Sequence, residues 1–279
     1  MAIVSALELK HLLESEACVL LDASIAPVGV ELTASEHSYC IPQSIRFDIE
    51  AFSCKNSGLP HTALGVDEFE RKANALGLHR DAKIIVYDDV GVYSSPRAWW
   101  NLILMGCTDV SVLDGGLKAW QAAGFPTSER HSAPVAKESF VADYQSQYLV
   151  AQDEVLKATE CGEPKIIDAR SYGRYIGRDP EPRKGLRQGH IVSSLTLPFT
   201  ELLNGYQLKD SEALRAKFLA LGCETETPMI FTCGSGVTAS ILCLAASLAG
   251  YQKLSVYDGS WAEWGSDSAL PISKENTKA

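Results

Sequence analysis

Four stretches of this chain recur in order at one spacing of about 145 residues, and that regularity limits the fold more than any other feature. Val4-Ser-Ala-Leu-Glu-Leu is echoed by Val150-Ala-Gln-Asp-Glu-Val, and Leu20-Leu-Asp-Ala-Ser24 by Ile166-Ile-Asp-Ala-Arg170. Ile84-Ile-Val-Tyr-Asp-Asp89 is echoed by Met229-Ile-Phe-Thr-Cys-Gly234, and Val112-Leu-Asp-Gly-Gly-Leu-Lys-Ala-Trp120 by Val256-Tyr-Asp-Gly-Ser-Trp-Ala-Glu-Trp264. The spacing slips only around Ile41 and Ile191, where the insertions differ. Within each copy, short apolar strands alternate with helical patterns, so each half is expected to be α/β, a mostly parallel sheet flanked by helices. Residues 1–130 and 148–272 are then two tandem domains. The polar segment 131–147, broken by Pro134, joins them, and 273–279 form a charged, flexible tail.

The copies differ where chemistry is expected. Met229-Ile-Phe reads as a buried strand, Gly234 and Gly236 permit a tight loop, and Val237 to Ala249 is apolar almost all round, as in a buried helix. Cys233 thus sits in a loop that rolls into a helix N-terminus, among inward-pointing backbone N–H groups that favour a thiolate. The plain alternative is a structural cysteine in a glycine turn. The first copy carries Asp88, or Asp89 with one residue of slip, at the matching place. Only the second copy keeps a nucleophile, at the carboxyl end of a strand, where open α/β sheets bind ligands.

A net charge of -10 argues against nucleic acid or an anionic membrane as a partner, and an anionic substrate would need local arginines to overcome that field. No apolar run reaches the length of a membrane span, and the N-terminus lacks the basic flank, apolar core and cleavage site of a signal peptide. The eight cysteines are scattered singly, with no metal-ligand spacing, as expected of reduced thiols in the cytoplasm. Neither a metal nor an organic cofactor is expected. Cys243 reads as core, Cys107 and Cys223 flank strand starts, Cys40 and Cys54 are candidates for surface thiols, and the five tryptophans read as core and interface anchors.

Together these residues resemble the two-domain rhodanese-type sulfurtransferases, and more closely the 3-mercaptopyruvate sulfurtransferases, over nearly the whole chain from Leu20 to Trp264. The resemblance implies two tandem rhodanese-like domains, the first non-catalytic and the second catalytic. It also implies transfer of sulfur from 3-mercaptopyruvate through a Cys233 persulfide to a thiol acceptor such as thioredoxin or a small thiol, or to cyanide. Thiosulfate-specific members carry the cationic loop Cys-Arg-Lys-Gly-Val-Thr, whereas Cys233-Gly234-Ser235-Gly236-Val237-Thr238 is the neutral loop of the mercaptopyruvate type. By the same resemblance, Arg174 and Arg183 of the segment from Arg170 to Arg183 bind the substrate, a carboxylate suited to bidentate guanidinium contacts; Arg178 is extra. The segment from Phe47 to His61 resembles the one that reaches across the domain interface, where Glu50, His61 and Ser235 would form an acid–base triad. Asp48 competes with Glu50 as its carboxylate, Cys54 stands where an acidic residue is common, and Thr62 where methionine is frequent. His190 resembles a fold-stabilising position.

Three other readings compete. A thiosulfate:cyanide sulfurtransferase is disfavoured by the uncharged loop. A Cys-x-x-x-x-x-Arg phosphatase fails because Ala239 stands where the arginine is needed. A non-catalytic sulfur-carrier or regulatory module describes the first half, which lacks the cysteine.

Overall fold

The computed structural model of the chain describes residues 2–26, 39–136 and 140–274. The chain forms two compact units, the first made of Met1–Cys54, Ala63–Gln145 and Asn204–Leu208, the second of Lys55–Thr62, Ser146–Leu203 and Lys209–Ala279. Each half of the sequence thus lends a short segment to the other unit.

In the first unit, β1 (Ile3–Val4), β2 (Val19–Asp22), β3 (Ile45–Arg46), β4 (Ile84–Tyr87) and β5 (Val110–Leu113) make a sheet of order β1-β5-β4-β2-β3. Every pairing in it is parallel. Helices α1 (Ala6–Glu14), α2 (Val66–Ala75), α3 (Ser95–Leu104) and α4 (Gly116–Ala122) flank it. A capping box, Ser5 with Glu8, starts α1. Residues Leu9, Leu20, Ile85, Leu113 and Trp120 meet in the core on one face of the sheet.

The second unit contains β6 (Leu149–Val150), α5 (Gln152–Cys161), β7 (Lys165–Asp168), α6 (Tyr172–Tyr175), β8 (His190–Ile191) and β9 (Leu195–Thr196). After the short ladder of β10 (Leu203–Asn204) with β11 (Gln207–Leu208) come α7 (Ser211–Ala220), β12 (Met229–Thr232), α8 (Val237–Leu248), β13 (Leu254–Tyr257), α9 (Ser260–Trp264) and β14 (Ile272–Ser273). Its main sheet runs β6-β13-β12-β7-β9, the order of the first unit repeated strand for strand, again all parallel. The duplication read from the sequence is therefore a duplication of topology. It extends to side chains: the Trp120 indole donates to Pro126 O at 2.7 Å, and Trp264, its counterpart, to Pro271 O at 2.9 Å.

Several connections are more tightly held than their polarity suggests. In the joining segment, His131 Nε2 lies 2.9 Å from Asp22 Oδ2, Ser132 N donates to Ser44 O, and Phe140 is buried beside Phe69; residues 137–139 lie outside the described residues. Ser273, the first residue of the expected tail, pairs with His190 across the antiparallel β14–β8 ladder, and 275–279 lie outside the described residues. Cys40, weighed as a surface thiol, is buried with its sulfur 3.4 Å from Ser128 O. Burial pushes the Cys243 and Cys107 thiols up to about 12 and raises Cys223 as well, which leaves them unreactive at neutral pH.

Asp22, at the end of β2, gathers hydrogen bonds from Ser24 N and Oγ, Arg46, Tyr87 and His131. Burial acts to raise its pKa, but the His131 and Ser24 hydrogen bonds, with Arg46, outweigh it and hold the carboxyl below its usual range. A carboxyl with a depressed folded-state pKa contributes stability that is complete above its unfolded value, near 4, and is lost as pH falls through the folded value. Asp22→Asn is therefore expected to destabilise the first unit by on the order of 2 kcal/mol at pH 7. The gap to the unsubstituted protein should narrow as the pH falls through the depressed folded-state value, read by urea unfolding across pH; a gap independent of pH would exclude the carboxylate as the source.

Candidate active site

The central strand β12 delivers Cys233 to the carboxyl edge of the sheet, and the chain then turns sharply into α8. Gly236 makes that turn with φ +81 as the N-cap of α8, a conformation that costs a residue with a side chain 1–2 kcal/mol or so. Nine of the twelve α8 residues are buried, including Val237 and Ala239, so the helix is fixed by its apolar surround. Cys233 is 2% exposed and Ser235 4%. Ser235 N points at Cys233 Sγ from 3.5 Å, the start of the N–H cradle expected of the loop.

The second Asp-Gly-Ser-Trp stretch supports this loop from beneath. Trp261 N donates to Cys233 O at 2.9 Å and Ala262 N to Gly234 O at 3.0 Å. Ser260, fully buried with φ +49, accepts from Cys233 N at 3.2 Å and donates to Tyr257 O at 2.8 Å. In the first unit the equivalent Leu117 N donates to Asp88 O at 2.9 Å, and Gly116 (φ +53) takes the place of Ser260. A Cβ on Gly116 would lie 2.0 Å from Asp88 O. The two halves thus hold their loops by the same backbone bonds, but only the second adds a hydroxyl under the residue at the loop's start. The Gly-to-Ser exchange between the copies was the sequence signal for Ser260; it carried no role in the motif reading.

The residue that replaces the cysteine in the first unit is Asp88, not Asp89, since Tyr87 and Thr232 end equivalent strands. Its buried carboxylate accepts six hydrogen bonds, from the backbone N–H groups of Val90, Gly91, Tyr93, Ser94 and Ser95 and from Ser95 Oγ, at 2.6–3.1 Å. This is an anion cradle filled by its own side chain.

Two guanidinium groups converge on the cysteine loop of the second unit. A Cβ on Gly234 would meet Arg174 Nη2 at 3.2 Å and Arg183 Nη1 at 3.7 Å. A cationic side chain at position 234 would therefore run into like charge, which gives a physical reason for the neutral loop. Arg183 Nη2 reaches Ser235 Oγ at 3.4 Å, and His61 Nδ1 lies 3.0 Å from the same hydroxyl. His61 follows Pro60 with φ +62 in the Lys55–Thr62 segment, which belongs to the second unit although it comes from the first half of the sequence.

Behind the arginines stands a chain of alternating charge. Arg170, 1% exposed, pairs with Asp168 at 2.6 Å and with Glu181 at 2.7 Å, and lies over the Trp261 ring. Glu181, whose side chain is 2% exposed, also takes Arg174 at 2.5 Å. Burial acts to lower the pKa of Arg170, but its two carboxylate partners reverse the sign and raise it. Arg178 is exposed and pairs with its neighbour Asp179, as an extra arginine should. His190 is 3% exposed, hydrogen-bonds Tyr175 O through Nδ1 at 2.8 Å and stacks on the Tyr175 ring. Burial lowers its pKa, and its place is structural. Glu50 and Asp48 are exposed residues of the first unit, where Asp48 Oδ1 accepts Glu50 N at 2.9 Å in a local turn. Thr238 is half-buried in the first turn of α8.

The arrangement is a buried thiol at the start of a tight loop, one backbone N–H turned toward its sulfur and two guanidinium groups packed at the next residue, on a duplicated parallel α/β fold. The chain belongs to the rhodanese-like domain family, which matches residues 5–123 and 151–267. It is 37% identical over 256 residues to 3-mercaptopyruvate sulfurtransferase from Escherichia coli strain K12, covering 91% of each chain. It is 36% identical over 253 residues to thiosulfate sulfurtransferase from Bos taurus, covering 88% of this chain and 84% of that one. The crystal structure of SseA from Escherichia coli superposes with a TM-score of 0.83 at 33% identity, covering 94% of this chain and 99% of that one. Overall identity scarcely separates the two named activities, so the choice of donor rests on the loop.

Proposed function

We propose that the chain is a 3-mercaptopyruvate sulfurtransferase, with residues 1–130 as the non-catalytic and 148–272 as the catalytic rhodanese-like domain. The observation that carries this reading is the neutral Gly234-Ser235-Gly236 loop with the Arg174 and Arg183 guanidinium groups packed at Gly234. The Cys233 thiolate attacks the thiol sulfur of 3-mercaptopyruvate. An S–S bond forms, the C–S bond breaks, and its electron pair leaves on the enolate of pyruvate. The donor's thiol proton passes to the enolate carbon through Ser235 and His61, which lie within hydrogen-bond reach of each other. Glu50, or Asp48 in its stead, is the carboxylate of this relay. Arg174 and Arg183 hold the donor's carboxylate, and the N–H groups of Gly234 to Thr238 stabilise the persulfide anion. A thiol acceptor, thioredoxin or a small thiol, attacks the outer sulfur and regenerates Cys233. Eight unpaired cysteines suit a protein working in the cytoplasm, and no helix among the described residues is long and apolar enough to cross a membrane.

Steady-state assays should show kcat/KM for 3-mercaptopyruvate at least about a hundredfold above that for thiosulfate, or about 3 kcal/mol in transition-state binding. A preference for thiosulfate would overturn the assignment of donor.

A further inference from the structure

Of the charged groups in the segment from Asp168 to Arg183, all but one are matched. Asp168 and Glu181 balance Arg170 and Arg174, and Asp179 balances Arg178. Arg183 has no carboxylate partner among the described residues; its recorded polar contact is the Ser235 hydroxyl. Glu181 is the pivot, because one buried carboxylate joins the fully buried Arg170 to Arg174, whose Nε and Nη2 it engages while Nη2 also faces Gly234. Arg170 is in turn fastened to Asp168 by its Nε and Nη2 and to Gly189 O at 2.8 Å. The orientation of Arg174 is therefore referred back to the end of strand β7 through a chain of buried ion pairs.

We propose that Glu181 is a positioning and specificity-determining residue, which aims Arg174 at the cysteine loop and cancels its charge so that one net positive charge, on Arg183, faces the donor. A monoanionic α-keto acid matches that single charge; a dianion such as thiosulfate leaves one negative charge uncompensated. Glu181 touches no substrate and acts through Arg174. The inference rests on the assignment of 3-mercaptopyruvate as donor.

The test compares kcat and KM for 3-mercaptopyruvate and thiosulfate in the full chain, in Glu181→Gln and in Glu181→Asp. The glutamine variant removes the balancing charge. Its ratio of kcat/KM for 3-mercaptopyruvate over thiosulfate should fall about tenfold or more, through KM, with kcat for 3-mercaptopyruvate kept within about threefold. The aspartate variant keeps the charge but draws both oxygens back by one methylene, which loosens the aim on Arg174, and should move the ratio in the same direction by a smaller factor. It decides the question by itself if the glutamine variant does not fold. A residue that merely stabilised the unit would depress both donors alike. An unchanged ratio in the variants that fold, with normal turnover of 3-mercaptopyruvate by the unsubstituted protein, overturns the role of Glu181 alone. Absence of that turnover in the unsubstituted protein would instead overturn the donor assignment.

Discussion

Cys233→Ser is expected to lower sulfur transfer about 10⁵-fold or more, the scale seen when a catalytic nucleophile is deleted, while leaving the melting temperature within a degree or so. The hydroxyl fits the space of the thiol and can still accept from Ser235 N, so the loop, tied by Trp261 N and Ala262 N, has no reason to rearrange. What the variant lacks is a soft, readily ionised atom able to take up a second sulfur. Mass spectrometry after exposure to 3-mercaptopyruvate should find one added sulfur on the unsubstituted chain and none on the variant. An added sulfur that persisted in Cys233→Ser would move the chemistry to another cysteine.

Asp88→Ala should bring the largest loss of stability. It strands five backbone N–H groups and a hydroxyl that now converge on one fully buried carboxylate. Leaving buried donors unsatisfied costs 1–3 kcal/mol or so for each that water cannot reach, and loss of a buried charged partner about 3–5 kcal/mol in all. For a unit of this size that amounts to a fall of about 10 °C in the unfolding of the first unit. Scanning calorimetry on the full chain would read it as a low-temperature shift of one transition, with sulfur transfer at 25 °C preserved. A transition that did not move would show that water or neighbouring groups satisfy the cradle without Asp88.

Sequence patterns carried the periodic and local features. Four repeats at one spacing gave the doubled sheet because parallel strands leave unbroken apolar runs, such as Ile84 to Tyr87, whose spacing survives divergence. Cys233, Gly236 and the buried α8 were legible because a strand, a tight turn and an apolar helix follow one another without a break. Arg174 and Arg183 came from the family resemblance, and their convergence on Gly234 is visible only in three dimensions. Ser260 is marked in the sequence only by a Gly-to-Ser exchange between the copies, which names no role, and Glu181 has no distinguishing local signal. Ser260 acts on a backbone N–H 27 residues away, and Glu181 looks like any loop carboxylate until the buried Arg170 is placed beside it. The same holds for Asp22 and His131, separated by 109 residues.

The Asp88 cradle has a kinetic consequence. A carboxylate joined to the loop by its own backbone competes at an effective concentration that no dissolved anion in a cell approaches. The first half therefore stays closed to sulfur oxyanions, phosphate or persulfide at any attainable level, and its loop offers no thiol to be loaded. Although the fold is written twice, the chain should carry a stoichiometry of one transferable sulfur per polypeptide, so that a pre-steady-state burst of pyruvate counts chains and not domains.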